Sequence, residues 1–147
     1  MKKLLKVLLI IVLVIVLAAG GFVGFLSFTE YRPEDVEYIT AGLLGEPETV
    51  GETVRLVSWN LGYCGLGEHE DFVMDGGTGA GKPELADFDY YFNGALAALD
   101  ELDADIYLLQ ELDEDSARSY GTNEVKSFSE GRNAHSWAYA QNYLCPF

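Results

Sequence analysis

Two short apolar runs about fifty residues apart each end in polar groups able to handle a hard cation or a phosphate. Val54-Arg55-Leu56-Val57-Ser58-Trp59 closes on Asn60, and Ile106-Tyr107-Leu108-Leu109 closes on Gln110-Glu111. A carboxylate at the rim of a strand can hold Mg²⁺ or Mn²⁺, ions that take oxygen ligands and keep waters for a substrate phosphate to replace. An amide beside it can ligate through its carbonyl or donate to a phosphate oxygen without adding negative charge. Asn60 and Glu111 are therefore the candidate catalytic and metal-ligating residues, with Gln110 in a supporting position. Strand ends are also polar because they meet water, so the spacing alone assigns no reaction.

For such chemistry the two residues must be brought to one edge. The run 54–59 is rich in β-branched and aromatic residues and apolar on both faces apart from Arg55 and Ser58, which predicts a strand buried in a sheet and ended by Asn60-Leu61-Gly62. Phe92, Ala95, Leu96, Leu99 and Leu102 recur at helical spacing and predict a helix over about 89–102, with Asp87 or Asp89 as its N-cap. Asp103-Ala104-Asp105 makes the turn into a second buried strand over 106–109. A strand, a crossover helix and a strand imply a parallel pair. Open α/β sheets bind ligands at the carboxyl ends of their strands, where Asn60 and Glu111 would both stand.

The amino terminus has a different character. Lys2, Lys3 and Lys6 precede an uncharged stretch over 7–28, and its 22 residues exceed the roughly 20 that cross a hydrocarbon core as a helix. The basic flank orients it with the remainder outside the cytoplasm. Ala18-Ala19-Gly20-Gly21 offers a signal-peptide cleavage site as the rival reading, but apolar character continues through Phe22, Val23, Phe25 and Leu26, which favours an anchor. Residues 29–52 are polar and acidic, with Pro33 and Pro47, and read as a stalk carrying at most a short helix over 33–38. Three segments result: 1–28 as anchor or signal, 29–52 as stalk and 53–147 as the folded part.

All 24 acidic residues lie beyond Phe28, against only Arg32, Arg55, Lys82, Arg118, Lys126 and Arg132 there. A surface so negative repels nucleic acid and anionic lipid unless a divalent cation mediates the contact. Cys64 and Cys145 could pair outside the cytoplasm, yet two cysteines are no disulfide framework, and free thiols are the default. Gly76-Gly77-Thr78-Gly79-Ala80-Gly81-Lys82 matches the glycine and lysine positions of a phosphate loop, but Pro83 replaces the hydroxyl that would reach Mg²⁺ and no clear strand precedes it. It reads as a loop near the active edge. His69, among Glu68, Glu70 and Asp71, reads as part of a solvated acidic loop rather than a metal ligand, and His135 as an ordinary structural or surface residue. Of Glu111, Asp113, Glu114 and Asp115, one is expected to be a ligand and three to be surface charges.

The strings VRLVSWNLGY and ADIYLLQELDEDS resemble the first two motifs of the endonuclease/exonuclease/phosphatase superfamily, the DNase I-like metal-dependent phosphoesterases. The likeness covers about 53–115, and 138–143 resembles a following strand. It implies an α/β fold that begins a two-sheet sandwich, Asn60 as an active-site residue, Glu111 as the ligand of Mg²⁺ or Mn²⁺, and hydrolysis of a phosphomonoester or phosphodiester. The substrate could be a small molecule, a lipid headgroup or a nucleic acid, and no protein partner is implied. The family's later Asp-x-Asn and Asp-His pairs are not matched, so the expectation is the amino-terminal part of such a domain. The alternative is a non-catalytic, membrane-tethered acidic binding or spacer module, or a non-functional fragment.

Overall fold

The computed structural model describes residues 2–42, 51–130 and 135–144, and the chain divides into two units, one of 1–40 with 138–147 and one of 41–137. The first unit is dominated by α1 (Lys2–Thr29), a continuous helix long and apolar enough to span a membrane or serve as a signal sequence. Its apolar side chains are exposed along its length, as in a helix whose solvent is lipid. It runs unbroken through Ala18-Ala19-Gly20-Gly21. The short helix expected over 33–38 does not form: the segment bends, and the Tyr31 hydroxyl donates to the Glu37 carboxylate at 2.6 Å. Six residues holding Glu34, Asp35 and Glu37 repay no helix nucleus. Thr40–Gly42 is instead a short strand, β1.

The second unit is a strand, helix and strand followed by a short helix. β2 (Leu56–Asn60) and β3 (Ile106–Gln110) pair in parallel from Leu56↔Ile106 to Asn60↔Gln110. Between them α2 (Leu85–Leu102) crosses over, beginning four residues earlier than its apolar spacing predicts. Glu84, not Asp87 or Asp89, holds the N-cap position; Asp87 lies inside the first turn, and its carboxylate is engaged by His69. An acid there still favours the positive end of the helix dipole. Phe88, Ala95 and Leu99 form the buried stripe of α2, packed with Leu61, Cys64 and Phe128 and against Val57, Trp59, Tyr107 and Leu109 from the strands. Fully burying a side chain such as Leu99 or Phe88 contributes about 1.5–3 kcal/mol.

Neither strand is buried on both faces as expected. Side chains alternate across a sheet, so Val57, Trp59, Tyr107 and Leu109 turn towards α2 while Leu56, Ile106 and Leu108 stay exposed on the other side. Among the described residues no second layer covers them.

The turn 103–105 sets the register. Asp103 ends α2 in the left-handed region (φ 42°), and the backbone N–H groups of Asp105 and Ile106 donate to the Arg55 carbonyl while the Arg55 N–H donates to the Asp105 carboxylate at 2.7 Å. The Tyr107 hydroxyl reaches back to the Leu99 carbonyl (3.1 Å) and accepts the Ala104 N–H (2.7 Å). α3 (Glu124–Glu130) follows and buries Val125 and Phe128. The strand expected over 138–143 is shorter and earlier, β4 (Trp137–Tyr139), and it pairs with β1 rather than extending the β2–β3 sheet.

Candidate functional site

Because the register ends at Asn60↔Gln110, Asn60 and, one residue beyond its partner, Glu111 both lie at the carboxyl edge of the pair. The backbones continue together: Leu61 N–H donates to the Gln110 carbonyl at 2.9 Å and Tyr63 N–H to the Glu111 carbonyl at 2.8 Å. The two predicted residues thus share one edge. Asn60 Oδ1 accepts the Gly62 N–H at 2.9 Å, which turns the chain and leaves Nδ2 as the amide's available donor. Gln110 Nε2 donates to the Leu108 carbonyl. Glu111 is exposed, and among the described residues its carboxylate has no hydrogen-bond or ion-pair partner.

The backbone here is unusual. Tyr63 (φ 44°), Cys64 (φ 49°), Glu111 (φ 57°) and Tyr120 (φ 56°) all adopt the left-handed region without being glycine, and Asp103 at the end of α2 is the one other such residue among those described. Each costs on the order of 1–3 kcal/mol and persists only where surrounding contacts enforce it. Those contacts lie directly behind the edge.

Arg118 supplies the main one. Its Nε and Nη2 donate to the two Asp113 carboxylate oxygens at 2.9 and 2.8 Å, and its guanidinium lies 3.5 Å from the centroid of the Tyr63 ring. One side chain therefore ties the loop after β3 to the loop after β2. The bond to Asp113 also holds the guanidinium firmly in its charged form. Asp113 and Glu124 close the loop reciprocally: Asp113 N–H donates to Glu124 Oε2 at 2.7 Å, and Glu124 N–H to the Asp113 carbonyl at 2.9 Å.

Glu124 is wholly buried beside the Cys64 thiol, and among the described residues its Oε1 has no close hydrogen-bond partner. Burial pushes its carboxyl up to about 7, helped by the Asp113 charge. The free thiol of Cys64, also buried, is driven far above its usual range by loss of water and then by Glu124. That thiol is not a nucleophile at neutral pH. Asp113 is accordingly no surface charge, contrary to the reading of the acidic run: the chain folds back over 113–124 and encloses it.

The glycine-rich segment is not a phosphate loop. Asp71 occupies the place an anion would take, accepting from Thr78 N–H at 3.0 Å and Thr78 Oγ1 at 2.6 Å, bonds that hold its carboxyl below the usual range. No strand feeds the loop; Val73–Asp75 is a short 3-10 turn, and Phe72 and Gly79 make an isolated bridge. Beyond it, Lys82 and Pro83 return to the edge. Pro83 accepts the Tyr120 hydroxyl at 2.7 Å, and Lys82 Nζ stands 4.2 Å from the centroid of the Tyr120 ring.

The histidines lie elsewhere. His69 Nδ1 is 3.0 Å from Asp87, its ring is stacked on Tyr90 and tilted against Tyr91, and the His69 backbone N–H donates to the Tyr91 hydroxyl, so the acidic loop is pinned to α2. His135 Nε2 lies 3.0 Å from the Ala104 carbonyl with its ring edge on Tyr107, a structural role. Cys145 falls outside the described residues. Among the described residues no group of three or more His, Cys, Asp or Glu side chains converges as a metal cluster. A cation at Glu111 would thus draw most of its ligands from water and substrate, as Mg²⁺ commonly does.

Sequence reasoning missed Arg118, Tyr63 and Glu124. Arg118 left one signal: it is the lone base between Glu111 and Val125 in a markedly acidic stretch. A buried glutamate at the start of a seven-residue helix leaves none, since its burial depends on contacts made far along the chain. No family model, curated protein or solved structure matches this chain.

Proposed function

We propose that the carboxyl edge of the β2–β3 pair takes part in divalent-metal-dependent hydrolysis of a phosphoester, on the exported side of a membrane to which α1 anchors the chain. The observation that carries this reading is that Asn60 and Glu111, whose carboxylate has no partner among the described residues, lie at one edge of a parallel pair, with Glu111 itself and Tyr63 and Cys64 beyond Asn60 in left-handed backbone. Glu111 suits Mg²⁺ or Mn²⁺ because a free carboxylate is a hard oxygen donor. Asn60 suits the metal less well, because its Oδ1 already accepts the Gly62 N–H; its Nδ2 is the better placed group, as a donor to a phosphate oxygen. A bound divalent ion would polarise the phosphoryl oxygen and offset charge in the transition state. A DNase I-like two-sheet sandwich is the architecture this reading implies, with further strands covering Leu56, Ile106 and Leu108.

The test is hydrolysis of bis(p-nitrophenyl) phosphate and p-nitrophenyl phosphate by the full chain in nanodiscs, with Mg²⁺, with Mn²⁺ and with EDTA. Metal-dependent turnover that Glu111→Gln abolishes and Asn60→Ala lowers about 10²-fold is expected, a loss typical of one transition-state donor. Glu111→Gln retaining full metal-dependent turnover overturns the reading. No turnover at all favours a tethered acidic module.

A further inference from the structure

Between β3 and α3 the chain makes a closed loop over 113–124 whose two ends meet at Glu124. The Asp113 N–H donates to Glu124 Oε2 and the Glu124 N–H to the Asp113 carbonyl, so both bonds of the loop's neck run through one residue. Compact loops of this kind, with their ends together, are filled by their own side chains. Ser119 is fully buried here, and inside the loop the Gly121 N–H donates to the Ser116 carbonyl at 2.8 Å and the Thr122 N–H to the Ser119 carbonyl at 2.9 Å. The tip is anchored separately, by the Tyr120 ring against Phe88 and its hydroxyl on the Pro83 carbonyl, and α3 is anchored by Phe128 edge-on to Phe92. None of those anchors involves Asp113 or Glu124.

The neck closes around a carboxyl with no solvent exposure. The titratable and charged groups facing it are Asp113 from the loop's first arm, Arg118 from its interior and Cys64 from the loop after β2. Arg118 gives both of its bonds to the Asp113 carboxylate, so a second negative charge at Glu124 is left buried without a bonded cation. A carboxylate so placed must recover water, and the shortest route is to part the two neck bonds. We propose that the neck of the 113–124 loop is a proton-controlled latch, shut while the Glu124 carboxyl keeps its proton and opened to water when that proton leaves, with the tip still anchored at Tyr120. Opening releases the Asp113 N–H, loosens the chain two residues beyond Glu111, and uncovers Cys64, which is 3% exposed when the latch is shut. The Glu111 edge is therefore ordered in mildly acidic surroundings and relaxed in alkaline ones. Its effect on metal binding rests on the reading of Glu111 as a ligand, but the latch itself does not.

Cys64 is the reporter. The full chain carrying Cys145→Ser, in detergent with EDTA, is labelled with 4,4′-dithiodipyridine between pH 5 and 8.5, and each rate is divided by that of the same chain unfolded in urea at the same pH, which removes the thiol's own ionisation. The Glu124 carboxyl lies near 7 with the latch shut and near 4.5 once solvated, so the ratio should rise about thirtyfold from pH 5.5 to 8 and level off above about 7.5. Glu124→Gln, which keeps an acceptor for the Asp113 N–H, should abolish the rise, and Glu130→Gln, which removes an exposed acid of the same helix, should leave it unchanged. A local opening exposes little surface, so at low urea the rate should hardly change with urea concentration. A ratio flat with pH, an equal rise in Glu124→Gln, or a rate that climbs from the lowest urea concentrations as steeply as global unfolding does would overturn the latch. Neither metal nor substrate is present, so the outcome is independent of the Glu111 reading and the two fail separately.

Discussion

The β2–β3 pair carries an Arg–Asp bridge at each end, and the two are built to different standards. At the amino end Arg55 and Asp103 meet through one 3.2 Å contact with side chains 61% and 84% exposed. At the carboxyl end Arg118 grips Asp113 through two bonds, Asp113 is 13% exposed, and the guanidinium is stacked on Tyr63. The first fastens a turn already fixed by backbone bonds to Arg55. The second encloses a loop, and around it lie Tyr63, Cys64, Glu111 and Tyr120 in left-handed backbone. Residue types do not separate a register clip from a site scaffold; burial and the strain it supports do.

The contrast can be broken most sharply at Asp113. Asp113→Ala leaves Arg118 without its carboxylates and frees the loop, and a cost of about 2–4 kcal/mol is expected, discounted from a fully buried pair because Arg118 is partly exposed. Urea unfolding of the full chain in detergent, followed by tryptophan fluorescence, measures it. A cost no larger than that of Arg55→Ala would erase the distinction.

Glu124 gives the next effect. Its carboxyl lies near 7 in the folded chain against about 4.5 when unfolded, so the unfolded form ionises first as pH rises. This group's contribution to stability is therefore present below about pH 4.5 and lost as pH climbs towards and through 7. Facing Asp113, Arg118 and Cys64, it leaves the chain less stable at pH 8 than at pH 5.5. Glu124→Gln keeps an acceptor for the Asp113 N–H and removes the ionisation. It should be more stable than wild type by on the order of 2 kcal/mol at pH 8, and show no gain attributable to this group at pH 4.5. Parallel pH profiles for the two proteins would contradict the burial argument.

The smallest effect belongs to Arg55→Ala. An exposed pair of this kind contributes about 0.5 kcal/mol, and less in high salt. A salt-dependent midpoint shift of that size is the expected outcome of the same unfolding assay.

The parallel pair, the crossover helix and the placement of Asn60 and Glu111 at one strand edge were legible in the sequence because they follow from local periodicity. The repeat from Phe92 to Leu99 marks a helix, and β-branched runs ending in Asn60 and Gln110 mark strands whose carboxyl ends must coincide once a helix crosses between them. Local pattern could not show that Leu56, Ile106 and Leu108 stay uncovered, since burial depends on what another layer supplies. It also hid the scaffold. Asp113 and Glu124 look like any acids of a charged loop until the fold-back brings each onto the other's backbone. Gly76 to Lys82 misleads in the opposite sense, because Asp71, outside the glycine pattern, fills the place of an anion while the Lys82 ammonium lies over the Tyr120 ring.

The central claim is that Glu111 holds a divalent cation at the strained carboxyl edge. Mn²⁺ binding followed by electron paramagnetic resonance, on the full chain and on Glu111→Gln and Glu114→Gln variants, tests it directly. The account predicts that Glu111→Gln loses the tightest Mn²⁺ site while Glu114→Gln, which removes a neighbouring charge only, retains it. Equal binding by the wild type and Glu111→Gln would contradict it.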